Sequence, residues 1–157
     1  MAIFKIEAGE RYTLEGVLWY IYDDNIHDNK IIYKNAIGAS INNPALDMIL
    51  CQKLYDKMTG VRYKQMELCL SEYETNNVNF SMFVNIVDDI ANLIFNKTQC
   101  QIVYAIHANT DNLHAHFVVN MVRYIDGKKL KIDYTFTKKL KIGISDIMNI
   151  YGLNKIL

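Results

Sequence analysis

A chain of 157 residues that is 51% hydrophobic and 22% charged suits one globular domain, residues 1–157, with a core of its own. Its 17 basic and 17 acidic side chains cancel, so total charge by itself speaks against a nucleic-acid binder, and no run of about 18 apolar residues supplies a membrane span. Cys51, Cys69 and Cys100 are odd in number, far apart and set in apolar surroundings. That is the pattern of free buried thiols in a reducing cytoplasm, and the charged first residues hold no apolar export core, so a cytoplasmic protein is expected.

In chain order, "AIFKIE" alternates and predicts a short strand. In "TLEGVLWYIYDD", Leu14, Val17, Leu18 and Ile21 recur at helical spacing behind Thr13, a suitable N-cap. "KIIYKNAIG" reads as strand or loop. "NNPALDMILCQKLYDKMTG" is the clearest helix, with Asn43 as cap, Pro44 at its first position and Gly60 expected just past its end. "YKQMELCLSEY" alternates like a strand, "ETNNVN" reads as a polar loop, and "FSMFVNIVDDIANLIFNK" is a second strong amphipathic helix. Two β-branched and aromatic runs follow, "CQIVYAIH" and "LHAHFVVNMVRY", joined by the polar turn "ANTDN". Asp126-Gly127 marks a tight turn into "KKLKIDYTF", read as a further strand, and a last helix is expected from Lys138 to Tyr151, before Gly152. This order predicts an α+β domain, an antiparallel sheet with helices packed on it in two layers.

Three of the four histidines, His107, His114 and His116, lie in the two apolar runs. Alternate residues of a strand share a face, so His114 and His116 point the same way, together with Val118 and Asn120. If "ANTDN" folds the first run back antiparallel, His107 arrives beside His114. Three imidazoles then converge with coordination positions left open, the ligand set of a catalytic metal rather than of a closed structural site. Asp111, in the turn, is a candidate acceptor for an imidazole N–H, and Asn120 a candidate to hydrogen-bond a phosphate or orient a water.

The string His107-x-x-x-Asp111-x-x-His114-x-His116-x-x-x-Asn120 resembles the third motif of relaxases, the conjugative mobilisation endonucleases of the HUH superfamily, MobA/VirD type. "VRYIDGKKLK" and "IYGLNKIL" resemble segments that follow the histidines in that family, and "LEGVLWYIYDD" resembles its first motif. The resemblance implies an HUH endonuclease fold with a ferredoxin-like palm. It also implies a divalent metal on the three histidines, a tyrosine that attacks the scissile phosphate of single-stranded DNA, and nicking and joining at an origin of transfer. Position against the first motif selects Tyr20 as the nucleophile, with Tyr22 as runner-up on a different helix face. Many relatives carry an aspartate two residues after the first histidine, where this chain has Asn109. Full relaxases continue into a long C-terminal region, so an excised or minimal catalytic domain is expected here.

A tyrosine nucleophile conserves the energy of the broken phosphodiester and lets the free 3′-hydroxyl restore it. Family resemblance points to Mg or Mn as the working ion, although imidazoles hold Zn, Ni or Cu more tightly. Charge is uneven along the chain: residues 1–122 carry 9 Lys and Arg against 14 Asp and Glu, residues 123–157 carry 8 against 3. The basic segment offers Arg123, Lys128, Lys129, Lys131, Lys138, Lys139 and Lys141 to phosphates, with Tyr124, Tyr134 and Phe136 as possible stacking platforms. Ser71 falls near a phosphate-contacting position of relatives, and His27 is a candidate for proton transfer or DNA contact beside the first motif. The partner expected is single-stranded DNA at an origin of transfer, met by a monomer, with accessory mobilisation proteins a further expectation. The alternatives are a rolling-circle replication initiator or transposase of the same superfamily, a non-catalytic DNA-binding module, and a metal-dependent hydrolase unrelated to DNA.

Overall fold

The computed structural model describes residues 1–7, 12–22 and 31–157. Its elements are β1 (Ile3–Ile6), α1 (Leu14–Tyr22), β2 (Ile31–Ile37), α2 (Pro44–Leu54), β3 (Tyr63–Cys69), α3 (Glu72–Asn77), α4 (Phe80–Thr98), β4 (Cys100–His107), β5 (His114–Arg123) and α5 (Tyr134–Ile150). The strands form one sheet in the order β1-β3-β5-β4-β2 with every pairing antiparallel. The expected α+β architecture, an antiparallel sheet flanked by helices, is what forms. The larger layer is α4 with α5, and a smaller layer of α1 and α2 covers part of the opposite face.

The two apolar runs became the inner strands because both of their faces are covered. All of β4 is buried, and all of β5 except Arg123. Ile102, Tyr104, Ile106, Ala115, Phe117 and Val119 pack beneath Ile86, Ile90 and Ile94 of α4 and Leu140, Ile144 and Met148 of α5. The intervening Val103, Ala105 and Val118 meet Leu14, Val17, Leu18 and Ile21 of α1 and Met48 of α2. Helix α4 is the main staple, capped by Asn79, whose side chain accepts from Met82 N, and buried along a stripe from Phe83 to Thr98. Truncating one of its buried isoleucines to alanine costs about 2–5 kcal/mol.

Four local expectations are corrected. Helix α2 stops at Leu54, well before Gly60, because Asp56 takes φ +54° and turns the chain out; Gly60 serves a later turn with φ +72°. "ETNNVN" contributes to a short helix rather than a loop, since Ser71 and Glu74 form a reciprocal capping box that starts α3. "KKLKIDYTF" is not a strand: only Lys129 pairs, in an isolated bridge with Val122. Asp133 caps the chain there, its Oδ1 accepting from Phe136 N at 2.8 Å, so α5 begins at Tyr134 instead of Lys138. The Asp126-Gly127 turn does form; Gly127 has φ +70° and lies so close to the Tyr55 ring that no Cβ would fit.

Candidate metal centre

The register of the central hairpin decides the site. In the β4–β5 ladder His107 stands opposite His114, and Ala105 opposite His116. All three imidazoles therefore lie on the α1 side of the sheet. Their ring centroids are 4.5 Å apart for His107–His116, 5.1 Å for His114–His116 and 5.5 Å for His107–His114. Each ring is buried and offers a nitrogen, and the three ligand atoms lie within 4.8 Å of one another.

Backbone carbonyls orient two of the rings. A carbonyl can only accept, so the imidazole nitrogen beside it carries the proton and the other nitrogen presents the lone pair. His107 Nε2 donates to the Ile21 carbonyl at 2.7 Å, at the C-terminal end of α1, which makes Nδ1 the ligand atom. His114 Nδ1 lies 3.1 Å from the Asn112 carbonyl and 3.3 Å from Thr110 Oγ1, which makes Nε2 its ligand atom. His116 Nδ1 lies 3.9 Å from Glu67 Oε2, carried in by β3 because Glu67 is the residue paired with His116 across the β3–β5 ladder. Two imidazole nitrogens bound at ~2.1 Å to one ion stand ~3–4 Å apart, so sub-ångström shifts would close this cluster on a divalent ion. The donor set fits a metal with open positions. Cys69 faces His114 across the β3–β5 ladder, but burial and then the charge of Glu67 raise its thiol pKa, which disfavours a thiolate fourth ligand.

The two tyrosines sit on opposite flanks of α1. Tyr20 is 40% exposed and stacks on Tyr12 at 6.3 Å, and Tyr12 is tied to β3 through the Tyr63 hydroxyl. Its flank is the β3 side, where the sheet face bearing Glu67 and Lys5 is only partly covered. Tyr22 is 6% exposed within the α1–α2 cluster and faces β2, with Lys34 Nζ 4.9 Å above its ring. His27 lies outside the described residues.

Other predicted site residues are placed elsewhere. Asn120 does share the histidine face but is fully buried under α2, where it accepts from Gln52 Nε2 at 2.9 Å and donates to Gln101 Oε1 at 2.9 Å and to the Met48 carbonyl at 3.3 Å. Its polar atoms are consumed by a protein network that continues through Gln52 to Arg62 and through Gln101 to the Gly38 carbonyl. Asp111 is exposed in the turn, and the groups that reach His114 are Thr110 and Asn112 instead. The Ser71 hydroxyl is committed to its capping box.

The basic segment is remote from the histidines. Arg123 ends β5, roughly 30 Å along the strand from His114 at ~3.3 Å per residue, and pairs with Asp126 at 3.5 Å. Lys128 is exposed in the same turn region, and Lys129 Nζ holds the Thr59 and Val61 carbonyls at 2.6 and 2.8 Å. Lys138 and Lys139 are exposed on α5, which packs on the other face of the sheet; Lys131 precedes that helix, and Lys141 Nζ contacts the Leu157 carbonyl. Of the aromatics, Tyr124 stacks on Phe95, Phe136 packs against the core and Tyr134 is exposed.

Sequence reasoning missed Glu67 and the Ile21 carbonyl. The alternation of "YKQMELC" put Glu67 on a defined face, but only the β3–β5 register brings it to His116.

Comparison with known proteins gives a family and a fold. The sequence model of the family described as "Relaxase: MobA/VirD2-like, nuclease domain" matches residues 20–153. A solved structure described under "Molecular Basis of Vancomycin Resistance Transfer in Staphylococcus aureus" superposes with a TM-score of 0.58 over 78% of this chain and 70% of that one, at 10% identity, a likeness of fold. The search of curated proteins found no match.

Proposed function

The chain belongs to the family of MobA/VirD2-like relaxase nuclease domains, and from that premise we propose that it nicks and rejoins one DNA strand at an origin of transfer through a covalent phosphotyrosine. One observation carries the reading: His107, in the imidazole cluster, is hydrogen-bonded to the end of α1, the helix whose open flank bears Tyr20.

In the proposed reaction the Tyr20 oxygen attacks the scissile phosphorus and loses its proton. The bond from phosphorus to the 3′ oxygen breaks, and that oxygen leaves as a hydroxyl after gaining a proton. The 5′ phosphate stays on Tyr20, and attack by a 3′-hydroxyl reverses the step. A divalent ion, Mg or Mn in the working enzyme, would be held by His107 Nδ1, His114 Nε2 and His116 Nε2 and would withdraw charge from the non-bridging phosphate oxygens. The carbonyls of Ile21 and Asn112 accept from the other nitrogens of His107 and His114, fixing their tautomers and raising their basicity as ligands, and Glu67, 3.9 Å from His116 Nδ1, adds its negative charge beside the third ring.

The scissile strand would approach over the partly covered half of the sheet face, past Lys5, Gln65 and Glu67, which Tyr20 borders. Asn120 takes no part in chemistry in this reading; it closes the buried network under α2. Arg123, Lys128, Lys129, Lys131, Lys138 and Lys139 would meet flanking DNA rather than the cleavage point. Work at a plasmid or integrative element in the cytoplasm, alongside accessory mobilisation proteins, completes the proposal.

The test is incubation with a labelled single-stranded origin-like oligonucleotide, with and without Mn, followed by a denaturing gel. A metal-dependent protein–DNA adduct that disappears in Tyr20→Phe is the expected result. Binding without any adduct in wild type would favour a non-catalytic DNA-binding module.

A further inference from the structure

The carbonyls that orient His107 and His114 are held in different ways. That of Ile21 lies in the last turn of α1, where carbonyls have no partner within the helix and keep the direction of its axis. That of Asn112 lies in the turn between β4 and β5, outside any helix or strand. No regular structure fixes where it points, so another group must.

The peptide unit that carries the Asn112 carbonyl also carries the Leu113 N–H, and in a planar trans peptide the two point in opposite directions. Leu113 N donates to Thr75 Oγ1 at 3.2 Å, while the Asn112 oxygen lies 3.1 Å from His114 Nδ1. Holding one end of this unit therefore aims the other. The next peptide is held as well, since the Leu113 carbonyl accepts from Leu70 N at 3.0 Å, just past the end of β3. Thr110 Oγ1 donates to the same Asn112 oxygen at 2.9 Å, which a carbonyl with two lone pairs can accept beside the imidazole N–H.

Thr75 is placed by its own short helix. Glu74 Oε2 accepts from Ser71 N at 3.0 Å and from Ser71 Oγ at 2.7 Å, closing the capping box, and Thr75 N donates to the Ser71 carbonyl at 2.9 Å. Glu74 is buried, so α3 is anchored one residue before Thr75.

We propose that Thr75 is a positioning residue of the histidine centre. Through the Asn112–Leu113 peptide it aims a carbonyl at His114 Nδ1 and so keeps Nε2, its lone pair free, as the ligand atom. The use of this device rests on the reading that the three rings hold an ion; the tautomer itself does not. A hydroxyl that only fastened α3 to the hairpin would affect stability and leave the ring unchanged.

Nitrogen NMR of the imidazoles in the metal-free chain at pH ~8.5, where histidines are neutral, reads the tautomer, and calorimetry with Mn reads the ligand set. Wild type is expected to show His114 in the Nδ1–H form. Thr75→Val, close in size but without the hydroxyl, is expected to move His114 towards the Nε2–H form and to weaken Mn binding about tenfold. Thr75→Ala is expected to do the same, and Thr75→Ser to keep both properties of wild type. Asn79→Ala, which removes the N-cap of α4, is expected to lower the urea midpoint and leave the His114 nitrogens and the Mn affinity alone. The proposal is overturned if the folded Val and Ala variants keep the wild-type tautomer, or lose it without losing Mn affinity. It is equally overturned if Asn79→Ala disturbs the His114 ring as much as they do. A wild type that takes up no Mn, yet shows the Thr75-dependent tautomer, overturns the metal reading and upholds the part played by Thr75.

Discussion

The two ends of the β4–β5 hairpin carry polar side chains on the same face of the same sheet, and they have opposite uses. At one end Asn120 is covered by α2, and each of its amide groups finds a protein partner: Gln52, Gln101 and the Met48 carbonyl. At the other end carbonyls from Ile21 and Asn112 each engage one nitrogen of an imidazole, and three further nitrogens converge. A buried polar group whose bonding capacity is spent on the protein specifies packing; one whose lone pair is oriented by its neighbours and directed at other lone pairs is arranged for a cation. Face and residue type alone do not separate the two cases. The cover above them does.

The largest expected effect divides the two tyrosines of α1. Tyr20→Phe should abolish the covalent DNA adduct, a loss of at least ~10³-fold in single-turnover cleavage, whereas Tyr22→Phe should keep the adduct. Loss of the adduct in Tyr22→Phe alone would reverse the assignment of the two flanks.

Next comes the contrast between the hairpin's ends. His116→Ala should weaken Mn binding by ~100-fold or more in calorimetry with only a small change in urea midpoint. Asn120→Ala should do the reverse: Gln52 and Gln101 lose a buried partner, costing about 1–3 kcal/mol of stability, while the folded variant binds Mn like wild type. An Asn120 variant of normal stability that loses metal or cleavage would dissolve the distinction.

Glu67→Gln sharpens the comparison, since it leaves all three ligands in place. A drop of about 10–100-fold in metal affinity is expected, because the amide has no charge with which to support the His116 ring. An unchanged affinity would mean that the 3.9 Å separation carries no coupling.

The smallest effect should come from the far end. Lys128→Ala with Lys129→Ala should change cleavage of a short oligonucleotide centred on the nick by less than ~3-fold, since neither lysine reaches the histidine end. Lys5→Ala, on the half of the face that Tyr20 borders, should cost more and flatten the salt dependence of binding. If the ranking were inverted, the path of the strand would have to be redrawn.

The amino-acid sequence by itself determined most of the elements and which three histidines could meet. Apolar residues at period 3.6 fixed α1 and α4, Asn43 with Pro44 fixed the start of α2, and period-2 alternation put His114 and His116 on one face whatever the pairing. These are local properties, set within a turn or two of chain. The strand written over "KKLKIDYTF" was misjudged because capping by Asp133 outweighed a weak β pattern. Register and layering were settled only by the tertiary structure. Which residue of β3 faces His116, which helix covers Asn120, and at which end of the sheet Arg123 emerges all depend on contacts between segments far apart in the chain. Lysines close to the histidines along the sequence ended at the far end and on the other face of the sheet, because a buried strand of ten residues separates what it joins. Glu67, distant along the chain, came within 3.9 Å of His116 because an antiparallel ladder sets partners opposite one another whatever their separation in sequence.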